Sequence, residues 1–177
     1  MTAKTLLTAA AFLITVSGTT LASGNHAGGH HGGGHHGAAV GEPGKAAEVD
    51  RTIIVVMKDN YYQPENITVQ RGETIRFKVK NQGNLVHEFN IGTHAMHQNH
   101  QQEMQRMVSQ GIIRGGELHH EMMKSHGMQH NDPNSILLEP DESGEIIWRF
   151  TADSDLQFAC NIPGHYQSGM VGEIETR

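Results

Sequence analysis

Cys160-Asn161-Ile162-Pro163-Gly164-His165-Tyr166-Gln167-Ser168-Gly169-Met170 places the only cysteine of the chain, a histidine and a methionine at intervals of five residues near the C-terminus. Thiolate and thioether sulfur are soft donors that favour copper, and imidazole suits both of copper's common oxidation states. A trigonal His2Cys set with a weak axial Met is the ligand set of a type 1 copper centre. Three such ligands lie in one short loop, so the fourth must come from far upstream. His87, in Asn84-Leu85-Val86-His87-Glu88-Phe89-Asn90-Ile91, is the best placed, in a strand-like run 73 residues before Cys160. His94 and His97 are the reserves. In this chemistry Cys160 binds as thiolate, because a copper ion beside it removes the thiol proton. His87 and His165 bind as neutral rings, each fixed by a hydrogen bond from its other nitrogen, and Met170 tunes the reduction potential.

The elements that position these residues read as strands. Thr52–Met57 is rich in β-branched residues and ends in the turn signal Lys58-Asp59-Asn60. Ile67–Gln70 leads through Arg71-Gly72-Glu73 to Thr74–Lys80, where Ile75, Phe77 and Val79 alternate with polar residues, so one face of that strand is covered. Val86–Ile91 follows. Ser135–Pro140 and Glu145–Thr151 flank Asp141-Glu142-Ser143-Gly144 and are expected to form a hairpin, while Leu156–Cys160 and Gly172–Thr176 complete the set. Short strands joined by Gly, Asn and Pro turns predict an all-β fold, an antiparallel sandwich over 51–177. Trp148, Tyr61 and Tyr62 are expected to pack in it or at its edge.

Residues 92–134 interrupt the pattern with seven of the nine histidines outside the N-terminal region and six of the nine methionines. A short helix is expected over Glu103–Ile113, with Met104 and Met107 in the core. A second has His119, Met122, Met123, His126 and His130 on one face, although Gly127 opposes it. With Met128, these soft donors are candidates for auxiliary copper binding. The whole stretch is read as a partly helical Met/His-rich insertion.

At the N-terminus, Lys4, an apolar run Leu6–Val16 and small residues through Ala22 resemble a secretory leader, 1–22. The run, about 11 residues, is short of the roughly 20 needed to span a bilayer, so no membrane span is expected in the mature chain. Residues 23–50 are expected to be a flexible Gly/His-rich tail. Its His26, His30, His31, His35 and His36 either capture Cu(II), Zn(II) or Ni(II) or merely solubilise the chain. The formal charge of -6, about -7 without the leader, argues against nucleic acid as a partner. A single cysteine in an exported chain makes no internal disulfide.

Tyr62-x-Pro64-x-x-Ile67-x-Val69-x-x-Gly72-x-x-Ile75-x-Phe77, then His87, then Cys160-Asn161-Ile162-Pro163-Gly164-His165-x4-Met170-x-Gly172 resembles the cupredoxin family of plastocyanin-like and azurin-like blue copper proteins over residues 51–91 and 135–177. The resemblance implies an eight-stranded Greek-key β-sandwich with copper at one end, held by His87, Cys160 and His165 with Met170 axial, and His165 as the electron exit. The insertion is a departure from the small electron-transfer members and resembles periplasmic cupredoxins of bacterial copper tolerance. Ala159 and Asn161 flank the cysteine where copper nitrite reductases and multicopper oxidases carry a histidine, and one cysteine cannot make a binuclear centre. The expectation is a periplasmic type 1 copper protein of copper tolerance, not an enzyme, with one redox-active copper and further ions on tail and insertion. The alternatives are an electron shuttle between redox partners, a cuprous oxidase, and a copper chaperone with a transfer partner.

Overall fold

The computed structural model describes residues 40–128, 132–151 and 154–177. Two five-stranded sheets face each other. The first orders β1 (Glu42–Pro43), β10 (Ser143–Arg149), β5 (Thr74–Asn81), β2 (Arg51–Lys58) and β3 (Tyr61–Gln63). The second orders β4 (Ile67–Val69), β12 (Val171–Thr176), β11 (Leu156–Ala159), β6 (His87–Thr93) and β9 (Ser135–Leu138). The count exceeds the expected eight by two because the short pieces β1 and β3, which fall in no expected strand, pair as separate strands.

Alternation sets the register of β5, which buries Ile75, Phe77 and Val79 and exposes Lys78 and Lys80. Facing aromatic rings fill the space between the sheets. Tyr62 lies edge-on to Phe158 at 5.0 Å and to Phe89 at 6.1 Å, and Phe77 meets Phe89 at 5.4 Å. Trp148 is buried as expected, its indole N–H donating to the Val40 carbonyl at 3.0 Å. Tyr62 is buried and Tyr61 exposed.

The structure corrects four expectations. The sheets are mixed, not antiparallel: β2 runs parallel to β5, and β12 parallel to β4. The expected hairpin over 135–151 does not form, since β9 pairs with β6 and β10 with β5 in the opposite sheet. The turn between them closes locally, Glu142 N–H donating to the Glu139 carbonyl and Glu139 N–H to the Glu142 carboxylate, and it also bonds to the end of β5. Asn81 N–H donates to the Glu142 carbonyl, and Asp141 N–H to that of Asn81. Residues 40–50 are not tail, for Val40 is buried and Glu42–Pro43 pair with Arg149 and Trp148. The expected tail residues 23–39 lie outside the described residues, as does the expected leader.

The fourth correction is in the insertion. Its first helix, α1 (His94–Ser109), starts nine residues before the expected Glu103, where the Thr93 side chain caps it by accepting from Met96 N–H at 3.3 Å. It ends at Gln110, before Gly111 at φ +73°. Its buried residues are His97, Met104 and Met107. A ribbon of β7 (Ile113–Arg114) and β8 (Glu117–Leu118) follows, then α2 (His120–Ser125). Gly127, at φ +65°, stands beyond the end of α2, so the expected long face from His119 does not continue, and His130 lies outside the described residues. α1 packs on the outer face of the second sheet beside β6 and β11. That cover explains why β6 buries Glu88 and Asn90 as well as Phe89 and Ile91.

Candidate metal centre

β6 delivers His87 at its first residue, and the loop after β11 delivers Cys160 and His165. The β11–β6 pairing, Ala159 opposite Asn90, brings the two chain segments together. The loop then closes on itself: His165 N–H donates to the Ile162 carbonyl, Met170 N–H to that of His165 and Cys160 N–H to that of Met170, each at 3.0–3.1 Å. Closure of so tight a loop uses left-handed backbone at Gly164 (φ +89°) and Gly169 (φ +100°), which glycine adopts without steric cost. It joins the backbone of buried Met170 to that of Cys160.

Cys160 Sγ lies 3.3 Å from Nδ1 of His165 and 4.0 Å from Nδ1 of His87. One donor atom from each of the three residues lies within 4.8 Å of the others, the only such group of His, Cys, Asp or Glu among the described residues. A first-row ion with metal–nitrogen and metal–sulfur bonds of about 2.0–2.3 Å at trigonal angles sets sulfur and nitrogen roughly 3.7 Å apart. The observed separations straddle that value, so the residues fit a metal ion at the centre of the triangle.

The second ring nitrogen of His87 is also accounted for. Its Nε2–H donates to Asp59 Oδ1 at 2.9 Å, and Asp59 accepts from the backbone and side-chain N–H groups of Asn84. That bond leaves Nδ1 as the lone-pair nitrogen toward the sulfur. Gly83 makes room for the pair, since a Cβ there would stand 2.7 Å from His87 Nε2. Burial pulls against the Asp59 charge, but the hydrogen bonds from His87 and Asn84 outweigh it and hold the carboxylate at a pKa of about 2.

On the other side of the sulfur, Glu88 N–H donates to Cys160 Sγ at 3.4 Å. The Glu88 carboxylate is fully buried. It accepts from Asn161 N–H at 3.1 Å, Asn161 Nδ2 at 2.9 Å, Ser135 Oγ at 2.7 Å and His100 Nε2 at 2.8 Å, with Asn90 Nδ2 farther off at 3.4 Å. Asp59, Glu88 and His100 escape sequence reasoning. Asp59 reads as a turn residue, and a charge next to His87 in a strand reads as solvent-facing.

Burial lowers the pKa of His87, with Asp59 partly opposing, and lowers that of His165, where the neighbouring His87 adds to the effect. Both rings are therefore neutral and ready to bind at pH 7. Burial pushes the Cys160 thiol up to about 12, so the metal-free protein holds it protonated. Copper uptake at pH 7–8 is accordingly expected to release close to one proton per ion, all from Cys160. Calorimetric titration in two buffers of different ionisation enthalpy measures this, and release of two or more protons would contradict the neutral histidines.

The reserve histidines are not part of the cluster. His94 Nδ1 faces the Tyr166 hydroxyl at 3.1 Å, and buried His97 faces the Gln157 carbonyl at 3.4 Å. Among the auxiliary candidates, Met122, Met123 and Met128 pack half-buried against the core. His126 is exposed, with Nδ1 directed at the Met122 carbonyl at 2.8 Å, whereas Nε2 of His119 is buried without a hydrogen-bond partner. His30, His31, His35 and His36 lie outside the described residues.

A family model for a cupredoxin-like domain matches residues 34–110. The copper-resistant cuproprotein CopI of Pseudomonas aeruginosa is 48% identical over 77% of this chain and 81% of its own length. CopI of Rubrivivax gelatinosus is 42% identical over 77% of this chain and 73% of its own. Among solved structures, auracyanin B matches with a TM-score of 0.57 over 77% of this chain and 96% of that chain at 17% identity. A reduced auracyanin from Roseiflexus castenholzii gives 0.53 over 73% and 98%, at 22% identity. These two likenesses show the fold, and the CopI identities show the lineage: the chain belongs to the CopI family of cupredoxins.

Proposed function

We propose that this protein holds one copper ion in a type 1 site at the end of its sandwich and acts in copper resistance from the periplasm, cycling between Cu(I) and Cu(II). Copper binding and a part in copper resistance are supported by the two CopI relatives and by the donor set. The observation that carries the type 1 reading is the buried triangle of Cys160 Sγ with two imidazole Nδ1 atoms. The Cys160 thiolate and the two neutral rings would hold the ion, and the Met170 thioether would be the weak fourth donor that tunes its reduction potential. When bound, copper supplies one-electron redox chemistry. The protein's part is rigidity: the hydrogen bond from Glu88 N–H to the sulfur and that from the far nitrogen of His87 to Asp59 hold the donors in place whatever the charge of the ion.

Export rests on the leader-like residues 1–22, and among the described residues no helix is long and apolar enough to cross a membrane. Binding and electron exchange, not substrate turnover on this chain alone, suit a centre whose cysteine neighbours are Ala159 and Asn161. His119 is the best anchor for an auxiliary ion, its buried Nε2 being unpartnered beside a methionine-rich helix.

Titration of the mature protein with Cu(II) tests the reading. An intense visible absorption that saturates at one equivalent is expected, with any further binding colourless. Absence of that band in folded protein would leave a sequestering sandwich without a type 1 centre.

A further inference from the structure

The insertion contributes more than exposed soft donors. The stripe His97, His100, Met104 and Met107 runs down one face of α1 at spacings of three and four, and lies against the second sheet. His97 lies beside Asn161, the residue after Cys160, and His100 beside Glu88, whose N–H donates to the Cys160 sulfur. His100 is held between two carboxylates, with Nε2 2.8 Å from Glu88 and Nδ1 3.3 Å from Glu103. Since both ring nitrogens face acceptors, both carry protons and the ring is a cation. The side-chain Oδ1 of Asn161 and Nδ1 of His97 are buried without hydrogen-bond partners of good geometry.

Resting on the type 1 reading above, we propose that α1 is a wall of the copper centre, with His100 and Glu88 as positioning residues. The His100 imidazolium neutralises Glu88, and Glu88 fastens the Asn161 end of the loop that carries the thiolate. Glu88 reaches the sulfur's surroundings twice, by its backbone N–H to Cys160 Sγ and by its carboxylate to both N–H donors of Asn161. A fully buried carboxylate needs a cation or a full set of donors, and taking away one partner of such a pair leaves an uncompensated charge. Without His100, Glu88 loses the ring that faces it and turns from its place, which loosens Asn161 and shifts the adjacent sulfur. The insertion is thus integral to the centre and not a detachable metal-binding arm.

The test compares His100→Leu with the double variant His100→Leu/Glu88→Gln, reading Cu(II) affinity and the position and relative intensity of the visible bands. The single variant is expected to lose about tenfold in affinity, the scale seen when a partner behind a metal ligand is removed, and to show altered bands. The double variant, which removes the stranded charge but keeps an acceptor for Asn161, is expected to recover both. Equal loss in the two variants, or no change in a folded single variant, overturns the proposal. Nuclear magnetic resonance of unmutated protein gives a second reading that needs no variant to fold. The His100 Nε2–H signal is expected to shift on adding one equivalent of Cu(I), while the signal of the Trp148 indole, which lies on the first sheet and donates to Val40, stays in place. An unmoved His100 signal overturns the proposal as well. Failure of the type 1 reading looks different, because the wild-type visible band itself is then missing.

Discussion

Cys160→Ser is expected to abolish the thiolate-to-copper absorption completely and to lower copper affinity by more than about 100-fold, beyond the range for partners behind the ligands. Sulfur gives the centre its colour and its preference for copper, whereas a serine hydroxyl is a harder donor whose proton is far more difficult to remove. The fold should survive. Serine is smaller than cysteine, and its oxygen inherits the Glu88 N–H that now donates to Sγ, so no buried donor is stranded. Parallel copper titrations followed by visible absorption, with far-ultraviolet circular dichroism to confirm folding, decide the matter. A visible band that persists in the variant would place the chromophore among other donors, such as the methionines and histidines of the insertion.

The metal loop is legible in the amino-acid sequence because its chemistry is local. Ligand type, order and spacing within Cys160–Met170 are written in eleven consecutive residues. His87 is legible as well, since it opens an apolar strand with few competitors. Asp59 and Glu88 are not, because their roles depend on which turn meets which strand across the sandwich. The same physics hides the start of α1. His94–Glu103 carries hardly any apolar residues, and its one buried position is filled by His97, so a search for apolar periodicity begins only at Met104. Eight strands of the sandwich can be read to within about two residues of their observed bounds, whereas the short β1, β3, β7 and β8 carry no such pattern. Their pairing cannot at 135–151, where the backbone groups around Asp141 bond to Asn81 of another strand, a long-range choice to which local turn residues are indifferent.

Phe158→Ala is expected to cost the metal-free protein about 3–5 kcal/mol, a large share of the roughly 5–15 kcal/mol that stabilises a domain. The ring is fully buried, meets Tyr62 at 5.0 Å and Phe89 at 5.5 Å, and lies two residues before Cys160 on β11. Its ladder partner is Gly172, where a side chain would overlap the ring. Neighbours so closely fitted have little freedom to collapse into the space left by alanine, which puts the cost toward the upper end. Copper bound to the folded state alone returns part of the loss by mass action, about 4 kcal/mol at free ion a thousandfold above the dissociation constant. Urea unfolding of metal-free and copper-loaded protein, wild type beside variant, measures both quantities. If the variant's metal-free stability falls by less than about 1 kcal/mol, the aromatic cluster is not the support beneath the metal loop. If the loss is as large as expected but copper returns none of it, the ion gains nothing from folding, and the pocket formed by His87, Cys160 and His165 is not where it binds.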